Sequence, residues 1–278
     1  MRIPPRFTQH GAIALLGGGT LVTVIILVFI VVFVLEKGLP VLSLSFLFSN
    51  PEEMGRAGGI FPTLIGTIVL PLLAILIATP LGLGTSVYLT EYTRESRITK
   101  VIRFGTDCLA GIPSIIFGLF GFIFFVTTLG MGWSILSGGL TLAFMILPTI
   151  IRTSEEAIKA VPKSYRDVSF SLGATRWQTV RRVILPNALP GILTGVMLGI
   201  GRSIGETAAV IFTAGSSLRL PSSIFDSTRT MAVHFYILAR EGISSENAYG
   251  TAAALIIAVL LVNLTAYWLM HWFISRRS

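Results

Sequence analysis

Long apolar stretches recur along the chain, each free or nearly free of charged side chains. They cover residues 12–35, 57–90, 108–151, 188–214 and 247–275. A helix rises about 1.5 Å per residue, so about 20 apolar residues cross the hydrocarbon core of a membrane. The 44 residues of 108–151 are too many for one such helix and predict two, with a glycine-rich turn at 130–133. The pattern therefore predicts an all-α polytopic membrane protein with six transmembrane helices.

The first stretch resembles a secretory signal only in following basic residues. The apolar region of a signal has about 7–15 residues, whereas this one has 24. No small-x-small cleavage pattern closes it before Glu36. We therefore expect a retained transmembrane helix.

Composition supports a membrane protein and excludes several other classes. Apolar residues make up 53% of the chain and charged residues 12%, against about 25% charged in an average soluble domain. A soluble single-domain enzyme would expose too much apolar surface, and disorder requires low hydrophobicity. The single cysteine, Cys108, excludes an internal disulfide framework and a cysteine-based zinc site.

The distribution of basic residues predicts the orientation. If the N-terminus is inside, 15 of the 21 Lys and Arg residues, including Arg2, Arg6, Arg276 and Arg277, fall in inner segments. Five fall in outer segments, and Arg202 lies within an apolar stretch. Because Lys and Arg are concentrated in cytoplasmic loops, we expect both termini in the cytoplasm.

No sequence motif predicts a catalytic centre. The chain lacks the G-x-x-x-x-G-K-[ST] loop that binds nucleotide phosphates and the H-E-x-x-H pattern of zinc proteases. We therefore expect no enzyme, no metal site and no cofactor in this chain. If transport is energised, the energy must come from an ion gradient or from another chain.

The inner loop 152–186 is longer than a helix–helix connection requires. It carries seven basic and three acidic residues. Its apolar residues have roughly the spacing of a short amphipathic helix, with a kink at Gly173 and a restart of the chain at Pro186. Such a helix would either lie on the inner leaflet or dock onto a partner.

The apolar stretch 188–214 contains two ionisable residues, Arg202 and Glu206. Their i, i+4 spacing predicts that they share one helix face. Ionisable groups inside a membrane cost about 2.5–3.5 kcal/mol on insertion scales. Two explanations remain open: a mutual salt bridge that only stabilises the bundle, or an anion site, because a guanidinium binds phosphate-like oxyanions well.

Residues 167–186 resemble the EAA loop of ABC-importer permeases, whose pattern is E-A-A, three residues, G, nine residues, I, one residue and L-P. Gly173 and Leu185-Pro186 match at the required spacing, and Val183 replaces the Ile. Asp167 replaces the Glu, and Val168-Ser169 replace the two alanines.

The resemblance implies the MetI-like fold of these permeases, with the loop fitting a cleft on an ATP-hydrolysing subunit. The residues implied to dock are Asp167, Leu172, Gly173, Ala174, Trp177, Leu185 and Pro186. Glycines of the fifth apolar stretch follow a small-x-x-x-small spacing and are expected to pack against a second permease subunit: Gly191, Gly195, Gly199, Gly201 and Gly205.

The run G-R-S-I-G-E-T-A-A-V-I-F-T-A at 201–214 resembles the signature of phosphate ABC-transporter permeases, and so do 113–121 and 147–153. The likeness extends from about Gly59 to the C-terminus and is closer to the PstA type than to the PstC type. It implies that Arg202 and Glu206 lie near the translocation path in the bacterial inner membrane. Arg152 is implied for the exit path, with an ordinary cytoplasmic anchor as the alternative.

The family implies partners for this chain: a homologous PstC-type permease, two ATPase subunits that bind ATP and Mg²⁺, and an extracytoplasmic phosphate-binding protein. We expect residues 1–56 to form an N-terminal segment with the first helix and an outer loop, and 57–278 to form the permease core. The alternatives are a permease for molybdate, tungstate or sulfate, and a secondary transporter driven by an ion gradient.

Overall fold

The computed structural model describes residues 5–275; the terminal Arg2, Arg276 and Arg277, used above for the orientation, lie outside that range. The described chain is almost entirely helical. Its α-helices are α1 (Pro5–Gly38), α2 (Leu44–Phe48), α3 (Phe61–Val87), α4 (Arg97–Ala110), α5 (Ser114–Gly121), α6 (Ile135–Ala160), α7 (Lys163–Ser171), α8 (Arg176–Thr179), α9 (Leu185–Ile204), α10 (Ala208–Thr213), α11 (Met231–Arg240) and α12 (Ser245–Ser275).

Shorter elements join or extend these helices. Two short strands, β1 (Pro51–Glu52) and β2 (Ala57–Gly58), pair antiparallel with Pro51 opposite Gly58. Turns of 3-10 helix cover Leu39–Val41 and Glu53–Gly55. Turns of π-helix cover Tyr88–Tyr92, Phe122–Thr128 and Val180–Ile184.

Within residues 5–275, five helical segments are long and apolar enough to cross a membrane: Ala12–Val41, Phe61–Tyr92, Ile135–Ala160, Arg176–Ile204 and Ser245–Trp268. The remaining predicted transmembrane helix, the third along the chain, corresponds to a bent pair of helices, Arg97–Ala110 and Ser114–Thr128, which meet at 100°. The bend occurs at Pro113, because the residue before a proline is disfavoured in the helical conformation. The predicted turn at 130–133 is confirmed, with left-handed Gly130 and Gly132.

The helix α4 has clearly separated polar and apolar faces. Its polar face packs against α6, where Arg103 Nε lies 2.7 Å from Glu155 Oε1. Its apolar face is open, with Ile98, Val101 and Phe104 each about 70% exposed. A capping box of Ser96 and Thr99 begins the helix, satisfying amides that have no partner within the first turn.

The centre of the core is the packing of α3 against α6. Leu70, Ala74 and Ala78 of α3 and Leu142 and Ile146 of α6 are fully or nearly fully buried in one cluster. The first helix, α1, packs mainly against α12, where a β-carbon at Gly38 would clash with the Tyr249 carbonyl. α6 thus occupies the middle of the bundle, and the site residues are positioned relative to it.

Gly191, Gly195 and Gly199 of α9 pack against α6 of the same chain, so the expectation that these three face a second subunit was wrong, whereas Gly201 has open space around it. A β-carbon at Gly191 would contact Ala157, and one at Gly195 would clash with Thr153. Small residues allow two helix backbones to approach closely. The five glycines also do not all lie on one helix, because α9 ends at Ile204 and Gly205 follows it.

Candidate functional site

Arg202 is the last charged residue of α9 and lies level with the middle of the bundle. The antiparallel packing of α9 on α6 places Gly195 against Thr153 and Gly199 near Ile146 and Ile150. About one turn further along α9, Arg202 therefore lies near the level of Met145, within the charge-free stretch of α6. Its side chain is exposed on the surface of the bundle.

The prediction that Arg202 and Glu206 share a helix face was wrong. α9 ends at Ile204, and α10 begins at Ala208, so Glu206 lies in a break of the helix. Its Oε1 accepts a hydrogen bond of 3.1 Å from the amide of Ala209 and thereby caps α10. Within residues 5–275, no ion pair joins Arg202 to Glu206. The salt-bridge explanation for the pair is therefore not supported.

The predicted docking segment is a pair of helices with a tight turn, not one amphipathic helix through Gly173. α7 ends at Ser171, and Gly173 adopts φ +77°, a conformation that suits glycine. The amides of Gly173 and Ala174 donate to the carbonyls of Phe170 and Ser169 and close the turn. α8 then begins with a capping box of Thr175 and Gln178.

The chain does not restart at Pro186, contrary to the prediction. α8 and α9 form one continuous helical segment, Arg176–Ile204. The amide of Leu185 bonds to the carbonyl of Val180, five residues back. This π-turn changes the hydrogen-bond register immediately before the proline, which has no amide hydrogen to donate.

The α7–α8 turn presents an apolar surface to solvent. Leu172 is 83% exposed and Trp177 57%, with Val168 and Phe170 also exposed beside Asp167. Large apolar side chains clustered on a surface commonly mark an interaction site. The turn itself is held together by a buried hydrogen bond of 2.8 Å between the hydroxyls of Ser169 and Thr179.

The seven predicted docking residues do not all lie on that surface. Asp167, Leu172, Gly173 and Trp177 are exposed, and Ala174 is half-buried in the turn. Leu185 and Pro186 are partly buried in the continuous helix, where Leu185 packs against the cluster that contains Ile158 and Ile184. Leu185 and Pro186 therefore lie in the helix that follows the α7–α8 turn and not on its exposed surface.

An ion pair that the sequence analysis missed ties the docking segment to the membrane helices. Arg166 of α7 donates from Nη2 to Glu91 Oε1 at 2.7 Å and from Nε at 3.1 Å. Its Nη1 and Nη2 also donate to the carbonyls of Val161 and Ile158, at 2.7 and 2.9 Å. The two side chains are only 17% and 12% exposed. We call this contact the Glu91–Arg166 clamp.

Arg152, expected for the exit path, is held by carboxylates in the half of α6 nearer to α7. Its Nη1 lies 2.5 Å from Asp107 Oδ1 and its Nε lies 3.5 Å from Glu156 Oε1. It therefore links α6 to α4 beside a cavity of about 150 Å³. The structure does not bring Arg152 together with Arg202, which lies on another helix, at the level of the middle of α6.

Comparison with known proteins places this geometry among importer permeases. The family described as "Binding-protein-dependent transport system inner membrane component" matches residues 78–278. The probable ABC transporter permease protein YqgI of Bacillus subtilis is 35% identical over 280 residues, covering 95% of each chain. The phosphate transport system permease protein PstA 1 of Mycobacterium tuberculosis is 36% identical over 221 residues, covering 78% of this chain and 70% of that one.

Solved structures share the fold at low sequence identity. The inward-facing MetNI methionine ABC transporter matches with a TM-score of 0.66 and 18% identity, covering 77% of this chain and 95% of that one. A bacterial ABC transporter for the import of alginate matches with a TM-score of 0.66 and 15% identity, covering 96% and 99%. The predicted all-α fold of ABC-importer permeases is thereby confirmed.

Proposed function

The chain belongs to the family of binding-protein-dependent transport system inner membrane components, and from this we propose that it is a permease subunit of an importer for inorganic phosphate. It is a transport subunit and not an enzyme, since ATP hydrolysis in such importers resides in separate subunits. The observation that carries the phosphate assignment is Arg202, an exposed guanidinium without a carboxylate partner within residues 5–275, level with the middle of α6. The PstA relatives support it.

Arg202 would bind the anion during its passage. A guanidinium presents donors in a fork that matches two oxygens of a tetrahedral oxyanion. An unpaired charge inside a membrane is costly, and a passing anion would offset that cost. Glu206 already uses Oε1 to cap α10, so its Oε2 would accept a hydrogen bond from a protonated phosphate.

The exposed turn between α7 and α8 would receive a partner ATPase subunit, which would bind ATP and Mg²⁺. A PstC-type permease and an extracytoplasmic phosphate-binding protein would complete the importer, with both termini of this chain in the cytoplasm. Closure of the ATPase subunits would move the docking turns and open the path outward. Hydrolysis would then return the path to the inward-open state.

A permease for another oxyanion is the second candidate. Sulfate, molybdate and tungstate are also tetrahedral, and a guanidinium binds each of them. The carboxylate of Glu206 favours phosphate, because a protonated phosphate can donate a hydrogen bond and sulfate at neutral pH cannot. A secondary transporter would leave the docking turn without a role and does not fit the family.

The test is ATP-dependent uptake of labelled phosphate by the assembled importer in membrane vesicles. We expect Arg202→Ala to abolish uptake while the complex still assembles. Arg56→Ala, at an exposed outer arginine, serves as the matched control and should leave uptake unchanged. Uptake near the unsubstituted level in Arg202→Ala would remove the pathway role, and inhibition by excess sulfate or molybdate would move the substrate to another oxyanion.

A further inference from the structure

A wide cavity lies at the end of the bundle opposite the docking turn. It has a volume of about 970 Å³, is open on one side, and is lined mainly by α5, α10, α11 and the segment 215–217. Trp133, which lines it, immediately precedes the first turn of α6, whereas α7 follows the last turn of α6. The cavity therefore opens on the outer side if the docking turn is cytoplasmic.

The polar part of this cavity consists of hydroxyl groups and one cation. Its apolar wall comes from α5 and α10, and its polar side chains are Thr207, Ser216, Ser217, Ser227, Tyr236 and Arg240. The oxygen of Ser217 accepts a bond from the amide of Arg219, so its hydrogen is still available to a ligand. No carboxylate is among the lining residues of the described chain.

Arg240 places a positive charge at this cavity. Its Nη1 donates to the hydroxyl of Tyr236 at 3.0 Å, and its guanidinium carbon lies 5.6 Å from the centre of that ring. These two contacts fix the side chain without neutralising its charge. Within residues 5–275 it forms no ion pair.

A second cation lies behind the wall of the cavity. Arg229 is 6% exposed, donates from Nε to the carbonyl of Ser216 at 2.9 Å, and lies 3.2 Å from Nδ1 of His234. Burial, and then the charge of Arg229, lower the pKa of His234 to about 4, so this partner is neutral near pH 7. Within residues 5–275 Arg229 also forms no ion pair with an acidic side chain.

Three carboxylates adjoin the cavity lining in sequence: Glu206, Asp226 and Glu241. Glu241 follows Arg240, is exposed, and forms no ion pair with it within residues 5–275, whereas the other two are engaged in hydrogen bonds. Asp226 Oδ2 accepts from the amides of Ser222 and Ser223 and from the Ser222 hydroxyl, all at 2.8–2.9 Å. Those bonds, the Ser222 amide first, lower the pKa of Asp226. Glu206 caps α10. Two cations and several hydroxyls therefore define the local chemistry.

We propose that this cavity is an outer vestibule that binds a tetrahedral oxyanion before it reaches Arg202. Arg240 and the hydroxyl of Ser217 contact the anion there, and Arg229 adds an attractive field from behind the wall. Thr207 lines the cavity and directly follows Glu206, so the vestibule adjoins the helix break next to Arg202. This inference rests on the proposed function, because it assigns the same substrate a second site.

The test uses the charge selectivity of cysteine modification in the assembled importer in membrane vesicles. Cys108 is the single cysteine of the chain, so a Cys108→Ser background carries one new thiol in Ser217→Cys. We expect an anionic methanethiosulfonate to react faster than a cationic one. Adding Arg240→Gln should lower this rate ratio about threefold, as expected for one unit charge within a screening length, and Arg240→Lys should preserve it.

Control variants test whether the charge selectivity of modification is specific to the vestibule or shared by the rest of the outer surface. Ser45→Cys, at an exposed serine of α2, should show no dependence on Arg240. Inorganic phosphate should slow modification of Ser217→Cys, and Ser216→Cys provides a second position if the first disturbs assembly. Equal rates for the two reagents, or a ratio that Arg240→Gln leaves unchanged, would overturn the vestibule. Protection by sulfate or molybdate but not phosphate would support the vestibule and overturn the phosphate assignment instead.

Discussion

The Glu91–Arg166 clamp gives the sharpest prediction, because it joins the docking segment to two membrane helices. Glu91 lies in the π-helical turn that continues α3, and the carbonyls of Ile158 and Val161 lie at the end of α6. Glu91→Gln removes the charge that holds Arg166 to α3 and leaves the two carbonyl contacts in place. The substitution therefore detaches α7 from α3 while α7 stays bound to α6.

The structure sets the expected size of the effect. Breaking a fully buried ion pair costs about 3–5 kcal/mol, and a hydrogen bond to a charged group contributes about 1.5–3 kcal/mol. Because the side chains of Arg166 and Glu91 are still 17% and 12% exposed to solvent, we expect Glu91→Gln to weaken the attachment of α7 to α3 by about 2–3 kcal/mol. That corresponds to a factor of roughly 30–150 in the equilibrium between the attached and detached docking segment.

The assay is the number of ATP molecules hydrolysed per phosphate imported by the purified importer in lipid vesicles. We expect Glu91→Gln to keep ATP hydrolysis and lose most uptake, so that this ratio rises several-fold. Glu95→Gln is the matched control, because Glu95 is 79% exposed and its contact with Arg103 is long, at 3.5 Å. Arg166→Lys keeps the charge without the fork and should fall between the two. An unchanged ratio in an assembled Glu91→Gln importer would refute the reasoning.

Three further predictions follow from single residues. The pKa of His234 is lowered to about 4 in the folded chain, below its ordinary 6.5, so the unfolded chain binds a proton before the folded chain does as the pH falls. Thermal unfolding should therefore show a loss of up to about 3 kcal/mol of stability between pH 6.5 and pH 4. His234→Gln should make the stability less dependent on pH in that range. Gly195→Ala should lower the unfolding temperature because its β-carbon would clash with Thr153, whereas Gly84→Ala, with open space around it, should not; equal effects would contradict the α6–α9 contact. Gly173→Ala should raise the ATP-to-phosphate ratio, since a left-handed alanine costs about 1–2 kcal/mol, while Gly173→Asn should be tolerated; identical behaviour of the two would exclude backbone strain as the cause.

The sequence predicts the long helices well because the membrane imposes their length and polarity. The charge-free stretches correspond to five helical segments that can span, and the turn at 130–133 follows from its glycines. The third span is the exception, because Pro113 and the polar face of α4 bend the chain there. The length of an apolar stretch indicates a membrane helix, but it does not indicate that Arg103 and Asp107 bind α4 to Glu155 and Arg152 of α6.

The site was predicted less completely, for two different physical reasons. The helix break between Arg202 and Glu206 had a local signal, since Gly205 and Thr207 are residues that favour helix ends, and the i, i+4 argument ignored it. The Glu91–Arg166 clamp had no local signal, because the two residues are 75 positions apart. Such a pair becomes visible only when α3, α6 and α7 are packed.

α6 connects the α7–α8 turn to the helix break beside Arg202. At the end of α6 next to α7, two carbonyls accept hydrogen bonds from Arg166, and further along α6 the glycine contacts hold it to α9. At the beginning of α6, the amide of Ser134 donates to the carbonyl of Thr213 in α10. Packed helices move as rigid bodies and do not stretch. A displacement of α9 against α10 must therefore be absorbed at 205–207, the non-helical residues between them. That break adjoins Arg202, so a movement imposed at the α7–α8 turn would change the position of the residue proposed to bind the anion.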